Sequence, residues 1–168
     1  MGGSSGSGPK RADLRRLEEV ARRTIREASE TGRRNVFISF VMEDQDEVNL
    51  LRGQAKNENA NLEFNDWSLR APFESNRADY IKQGIRERIS KSSVTLVYLS
   101  RNTAKSKWVD WEIRESVRLG RSVVAVYKGD QPPKVLPRAI VDNATKVRMT
   151  PWRHEGIADA IAKSVPKN

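Results

Sequence analysis

Apolar residues in this chain recur in two rhythms. Continuous runs at 36–41 (VFISFV), 62–64 (LEF), 94–99 (VTLVYL) and 123–127 (VVAVY) have the length and the β-branched and aromatic content of strands buried on both faces. Between them the apolar positions fall at helical spacing: Val48, Leu51 and Ala55, then Ile81, Ile85 and Ile89, then Val109, Ile113 and Val117. Residues 145–149 predict a fifth, weaker strand. Thr150-Pro151, with Ile157, Ile161 and Val165 beyond, predicts a last helix carrying Pro at its first position. Upstream, Leu14, Leu17, Ala21, Ile25 and Ala28 predict an amphipathic helix over 13–29 whose other faces are rich in arginine, closed by Thr31-Gly32.

End signals sharpen these elements. Asp44 followed by Glu47 has capping-box spacing ahead of the first sheet-packing helix. Ser106 is a good N-cap, and Gly120 a good residue just past the end of the same helix. The loop 65–72 is too long for a plain connector, and proline-rich 129–137 leaves room only for a short helix. Strands alternating with helices predict a five-stranded parallel sheet covered on both faces. A flavodoxin-like order 2-1-3-4-5 would set strands one and three side by side, with a crevice at 39–46 and 100–107.

Composition adds bounds. A chain of 168 residues predicts a single domain with its own core. Residues 1–8 (MGGSSGSG) read as a flexible leader, 9–32 as a basic helical segment and 33–168 as the domain. There is no cysteine, which excludes disulfides, thiolate metal sites and cysteine nucleophiles and fits a cytoplasmic protein. No apolar run has the length of a membrane span. Of the net charge of +9, residues 9–34 hold +4, from nine Lys/Arg against five Asp/Glu. That balance suits nucleic acid, anionic lipid or a phosphorylated small molecule, and is read as solubility plus attraction for polyanionic ligands. Without aromatic interleaving or a known motif, nucleic acid is not the expected partner.

Several chemistries fail for want of parts. A phospho-receiver needs an aspartate at the end of strand three, where Leu99-Ser100 stands. The loop after strand one, Phe40-Val41-Met42-Glu43-Asp44, lacks the hydroxyl- and glycine-rich phosphate loop of a flavodoxin. Neither dinucleotide-fold nor P-loop glycine fingerprints occur. His154, the one histidine, reads as a surface residue, and Asp44, Asp46 and Glu47 as helix-start acids, so no metal site is expected. Glu112 lies about 100° from the stripe of Val109, Ile113 and Val117, sharing its edge with Trp108 and Ser116. Spacing alone fits a solvated glutamate beside a half-buried indole as well as a half-shielded functional one.

The stretch Ser100-x-Asn102-x-Ala104-x-Ser106-x-Trp108-x-x-x-Glu112 resembles the loop and third helix of TIR domains, where the same frame leads to the glutamate of NAD-cleaving members. Val36-Phe37-Ile38-Ser39-Phe40, Asp66-x-Ser68-Leu69 and Pro151-Trp152 extend the likeness to the TIR-like proteins of bacterial Thoeris anti-phage systems, over about residues 34–165. The resemblance implies a TIR-like three-layer sandwich in which Glu112 is catalytic and Ser39, Phe40, Asp66, Trp67, Asn102, Ser106 and Trp108 bind substrate. NAD would be substrate and not cofactor, and the product a cyclic ADP-ribose-type messenger read by a separate effector protein. It also implies self-association through the loop after strand two, with Trp67, Leu69 and Phe73 offering apolar contacts. Asp110 and Trp111 depart from plant TIR domains, which usually carry small or aliphatic residues there. The alternatives are a non-catalytic TIR interaction module and, more remotely, a basic nucleic-acid-binding domain.

Overall fold

Five parallel strands form the sheet, as the alternation of strand and helix patterns predicts, in the order β2-β1-β3-β4-β5 expected of the flavodoxin-like fold class. The computed structural model describes residues 34–58, 62–65, 71–153 and 157–164, with position 19. Residues 1–33 form a separate unit, of which only Glu19, helical and exposed, is described. Apart from Glu19, the helix expected over 13–29 therefore lies outside the described residues. In chain order the elements are β1 (Arg34–Ser39), a 3-10 turn (Met42–Asp44), α1 (Gln45–Glu58), β2 (Leu62–Asn65), α2 (Ala78–Ser90) and β3 (Val94–Leu99). A second 3-10 turn (Thr103–Lys105) follows, then α3 (Lys107–Arg118), β4 (Ser122–Lys128), α4 (Arg138–Asp142), β5 (Val147–Trp152) and α5 (Ile157–Ser164).

Strand alternation sorts the core into two faces. Val36, Ile38, Leu96, Val124 and Val126 point to one side, against Val48, Leu51 and Ala55 of α1 and Ile161 of α5. Val97, Leu99, Val123 and Ala125 point to the other, where Val109 and Ile113 of α3 and Ile140 of α4 cover them. Phe37 meets Ile81, Ile85 and Ile89 of α2 together with Trp108. Each such side chain, fully buried, contributes about 1.5–3 kcal/mol.

Helix α3 has both expected ends. The Ser106 hydroxyl accepts from the Val109 amide at 3.2 Å. At the far end Gly120 takes a φ of +69°. Its N–H donates to the Val117 carbonyl at 3.0 Å and that of Arg121 to Ser116 at 2.9 Å, the paired bonds of a Schellman closure.

Two expectations need correction. Pro151 does not begin a helix: β5 runs on through it, with Tyr127 opposite Pro151 and Lys128 opposite Trp152. Proline is tolerated there because β5 is an edge strand, where an outward position needs no N–H. Helix α5 begins at Ile157 instead, and Val165 lies outside the described residues. The stripe on α3 is also wider than Val109, Ile113 and Val117. Val117 is only partly covered, whereas Trp108, Glu112, Glu115 and Ser116 are buried, because α3 packs on α2 and α4 as well as on the sheet.

The left-handed conformation of Gly120 makes the α3 terminus sensitive to a side chain. Gly120→Ala should lower stability by about 1 kcal/mol, read from urea unfolding midpoints, with the slope unchanged.

Candidate active site

Strand β1 lies between β2 and β3, so the crevice above the ends of β1 and β3 is where strand order reverses. Ser39 closes β1 there, with no exposure. Its hydroxyl donates to the Glu112 carboxylate, which reaches it from α3. Glu112 is fully buried, so the expected half-shielded glutamate is corrected: none of its surface is left to solvent. A polar seam continues beneath it. The Ser116 hydroxyl donates to the Glu112 carbonyl at 2.7 Å, which leaves Thr95 to donate to Ser116 at 2.8 Å. A carboxylate, a carbonyl and three hydroxyls thus satisfy one another inside an otherwise apolar layer.

The loop after β3 is built on a residue that the apolar pattern does not reveal. Thr103 is fully buried; its hydroxyl accepts from the Ser100 amide at 2.8 Å and donates to the Tyr98 carbonyl at 3.2 Å. Asn102, half-buried, starts the 3-10 turn, and its amide donates to Ser100 Oγ at 3.1 Å. Ser106 is half-buried with its oxygen engaged in the cap. The structure therefore brings Ser39, Glu112, Asn102 and Ser106 to one end of the sheet.

The aromatic members of the set have other surroundings. Phe40 is buried in the α1 side of the core, with the Arg52 guanidinium 5.7 Å from its ring centre. Trp108 is buried among the isoleucines of α2 and Phe37. Its indole N–H donates to the Ala71 carbonyl at 2.9 Å, and its ring meets Phe73 edge-on at 4.9 Å. Trp108 thereby ties the segment that leads into α2 to α3. Asp66 and Trp67 lie outside the described residues, as does His154.

Acids outside the motif complete the electrostatics. Asp44 ends the 3-10 turn after β1, is buried, and leaves Oδ2 with no hydrogen-bond partner. Burial raises its carboxyl above the usual range; a Ser100 hydrogen bond opposes the shift, and Glu43 and Glu47 add to it. Asp44 is thus a buried member of the crevice wall and not only a solvated helix-start acid. Burial likewise pushes the Tyr98 hydroxyl up to about 12, reinforced by Glu47 and Asp44. Glu115 is held below the ordinary carboxylate range by Arg118, at 3.0 Å, and by Arg86, at 2.6 Å, against its burial. Asp110 accepts from the Ala139 amide at 2.6 Å and from Arg114 at 2.8 Å, so this departure from plant TIR domains secures α4. Trp111 stacks among cations, with Lys82 and Arg86 each 5.8 Å from its ring. Among the described residues no group of three or more His, Asp or Glu could hold a metal ion.

The sequence model of the family described as "Thoeris protein ThsB, TIR-like domain" matches residues 37–132, more than half of the chain. No curated protein matches it. Among solved structures, the Clostridium botulinum CMP N-glycosidase BcmB is similar over 77% of this chain and 99% of its own, at 11% identity and a TM-score of 0.49. The TIR domains of the activated Roq1 resistosome that recognises the pathogen effector XopQ are similar over 58% of this chain and 59% of theirs, at 23% identity and a TM-score of 0.43.

Two measurements follow from the site's burial. Trp108→Ala should cost about 3–5 kcal/mol in urea unfolding; a small loss would mean that the indole does not hold the core. For Asp44, whose folded value is raised, the stabilising contribution is complete below about pH 4 and is lost as pH rises through the folded value. Asp44→Asn should therefore be more stable than the wild type at neutral pH, and the gap should close towards about pH 4.

Proposed function

The chain belongs to the Thoeris ThsB TIR-like domain family, and we propose that it cleaves the nicotinamide–ribose bond of NAD to form a cyclic ADP-ribose-type nucleotide. The observation that supports this most is the buried Glu112 carboxylate, held by Ser39 at the crevice between β1 and β3. Nicotinamide in NAD carries a positive charge on its ring nitrogen. As the bond to the ribose carbon breaks, the electron pair moves to that nitrogen and neutralises it, so no general acid is required. Charge then develops on the ribose as an oxocarbenium ion, the species that glycosidase carboxylates stabilise. A negative group away from water acts on that charge with less screening than one in solvent.

Ser39 positions the carboxylate, while Asn102 and Ser106 offer polar groups at the same rim. The carbon is then captured by a nucleophile within the same ADP-ribose, giving a ring, or by water, giving a linear product. A separate effector protein would sense the nucleotide.

The full burial of Glu112 has a kinetic consequence under this reading. A nucleotide reaches the carboxylate only after the crevice opens, so the resting monomer is weakly active. Contacts between copies through the segment after β2, where Phe73 lies half-buried against Trp108, would favour the open form. The same burial supports a second reading, a TIR interaction module in which Glu112 and Trp108 serve only the core. Nicotinamide release from NAD separates the two.

Glu112→Gln keeps size and hydrogen bonding but removes the charge. It should reduce nicotinamide release at least about a hundredfold with little change in melting temperature. Wild-type turnover in that variant would end the assignment of Glu112, and no turnover by wild type at any concentration would favour the interaction module. Specific activity, measured with light scattering over about a hundredfold dilution, should fall as the protein dissociates. A flat, high activity from a monomer would remove the assembly requirement and leave Glu112 in place.

A further inference from the structure

On the α1 side of the sheet, away from α3 and Glu112, lies a groove of about 880 Å³, within the size range of small-molecule sites. Its lining is mostly apolar and includes the Trp152 indole and Leu50, a large hydrophobic residue left 65% exposed. Trp152 is a fixed surface. Its N–H donates to Gln54 of α1 at 2.7 Å, and its ring meets Tyr98 edge-on at 6.2 Å.

Gly53 carries the most information. It sits inside a fourteen-residue helix and lines the groove. Its φ is not positive, and a Cβ built there meets nothing within 4 Å. Neither backbone conformation nor close packing demands glycine, although glycine is among the weakest helix formers. The absent side chain leaves helix backbone open at the groove floor, where a flat ring can lie.

The remaining lining supplies amides, two cations and one carboxylate, that of Glu47. Asn49 and Asn57 present amides, groups that both donate and accept along the edge of a heteroaromatic ring. Lys128 and Arg153 bring cations. Lys128 pairs with Glu47 at 2.9 Å and Arg153 with Asp130 at 3.5 Å, both through largely exposed cations. Surface pairs of this kind contribute little and exchange readily for a phosphate.

We infer that this groove binds a nucleoside monophosphate, with the base between Trp152 and the open backbone at Gly53 and the phosphate at Lys128 and Arg153. The groove's lining includes neither Glu112 nor Ser39, and the inference does not depend on the reaction proposed there.

The test is calorimetric titration of the full chain with adenosine 5′-monophosphate, adenosine and inorganic phosphate. One equivalent of the monophosphate should bind. Gly53→Leu, which fills the floor without burdening the helix, should weaken binding at least about tenfold while the melting temperature holds or rises. The double variant Lys128→Ala, Arg153→Ala should weaken the monophosphate but not adenosine, and Glu112→Gln should leave both unchanged. Three results would overturn the inference: no binding by wild type at millimolar ligand, binding that survives Gly53→Leu, or binding lost in Glu112→Gln. If Gly53→Leu instead changes light scattering and no nucleotide binds, the groove receives a second copy of this chain.

Discussion

Enclosing a carboxylate inside an α/β layer is costly unless its oxygens are met by donors. Ser39 meets one of those oxygens in Glu112, and the seam formed by Ser116 and Thr95 continues the hydrogen bonding down the helix. Much of the surrounding structure follows from it. Strand β1 must end at a hydroxyl, α3 must lie at a register that brings position 112 over that end, and the α3 cap at Ser106 fixes the register. A half-satisfied seam would be worse than an apolar one, so these positions act as a set.

The two faces of the sheet divide the work. Below α3 and α2 the layer carries hydroxyls, carboxylates and a tryptophan whose N–H is spent on the backbone of the segment after β2. Below α1 and α5 the layer is apolar, and the polar groups gather at its outer margin, around Trp152 and Gly53. Glu115 shows how an acid is carried at the outer edge of α3. It faces two arginines from different helices, which hold its proton affinity down and join α2 to α3.

Sheet direction and the helices of the described domain were legible because each buried run has a different period from its neighbours, whereas strand order followed from the fold class and the family resemblance and not from any period. The family, too, could be read from the frame running from Ser100 to Glu112, since its six positions span a loop, a cap and a helix whose geometry fixes their spacing. Exposure was not legible. Helical spacing places Glu112 at the edge of a stripe, but whether that edge is covered depends on how far α2 and α4 reach across. Asp44 matches a helix-start pattern at the level of residue type, yet it is buried and takes a hydrogen bond from Ser100, distant in sequence. Thr103 and Asp110 carry loop and helix ends through hydrogen bonds that no periodicity encodes. Pro151 misled because proline suits both a first helical turn and an edge strand, and only the pairing with β4 decides.

That proline also governs how the molecule meets its own copies. The β4–β5 ladder continues past it to Lys128 and Trp152, so the N–H missing from Pro151 belongs to the outward row. An incoming strand would find a gap in the donors along this edge. The β5 border is a poor template for β-sheet growth. Crowded copies are thereby steered away from amyloid-like stacking and towards reversible contacts made by side chains.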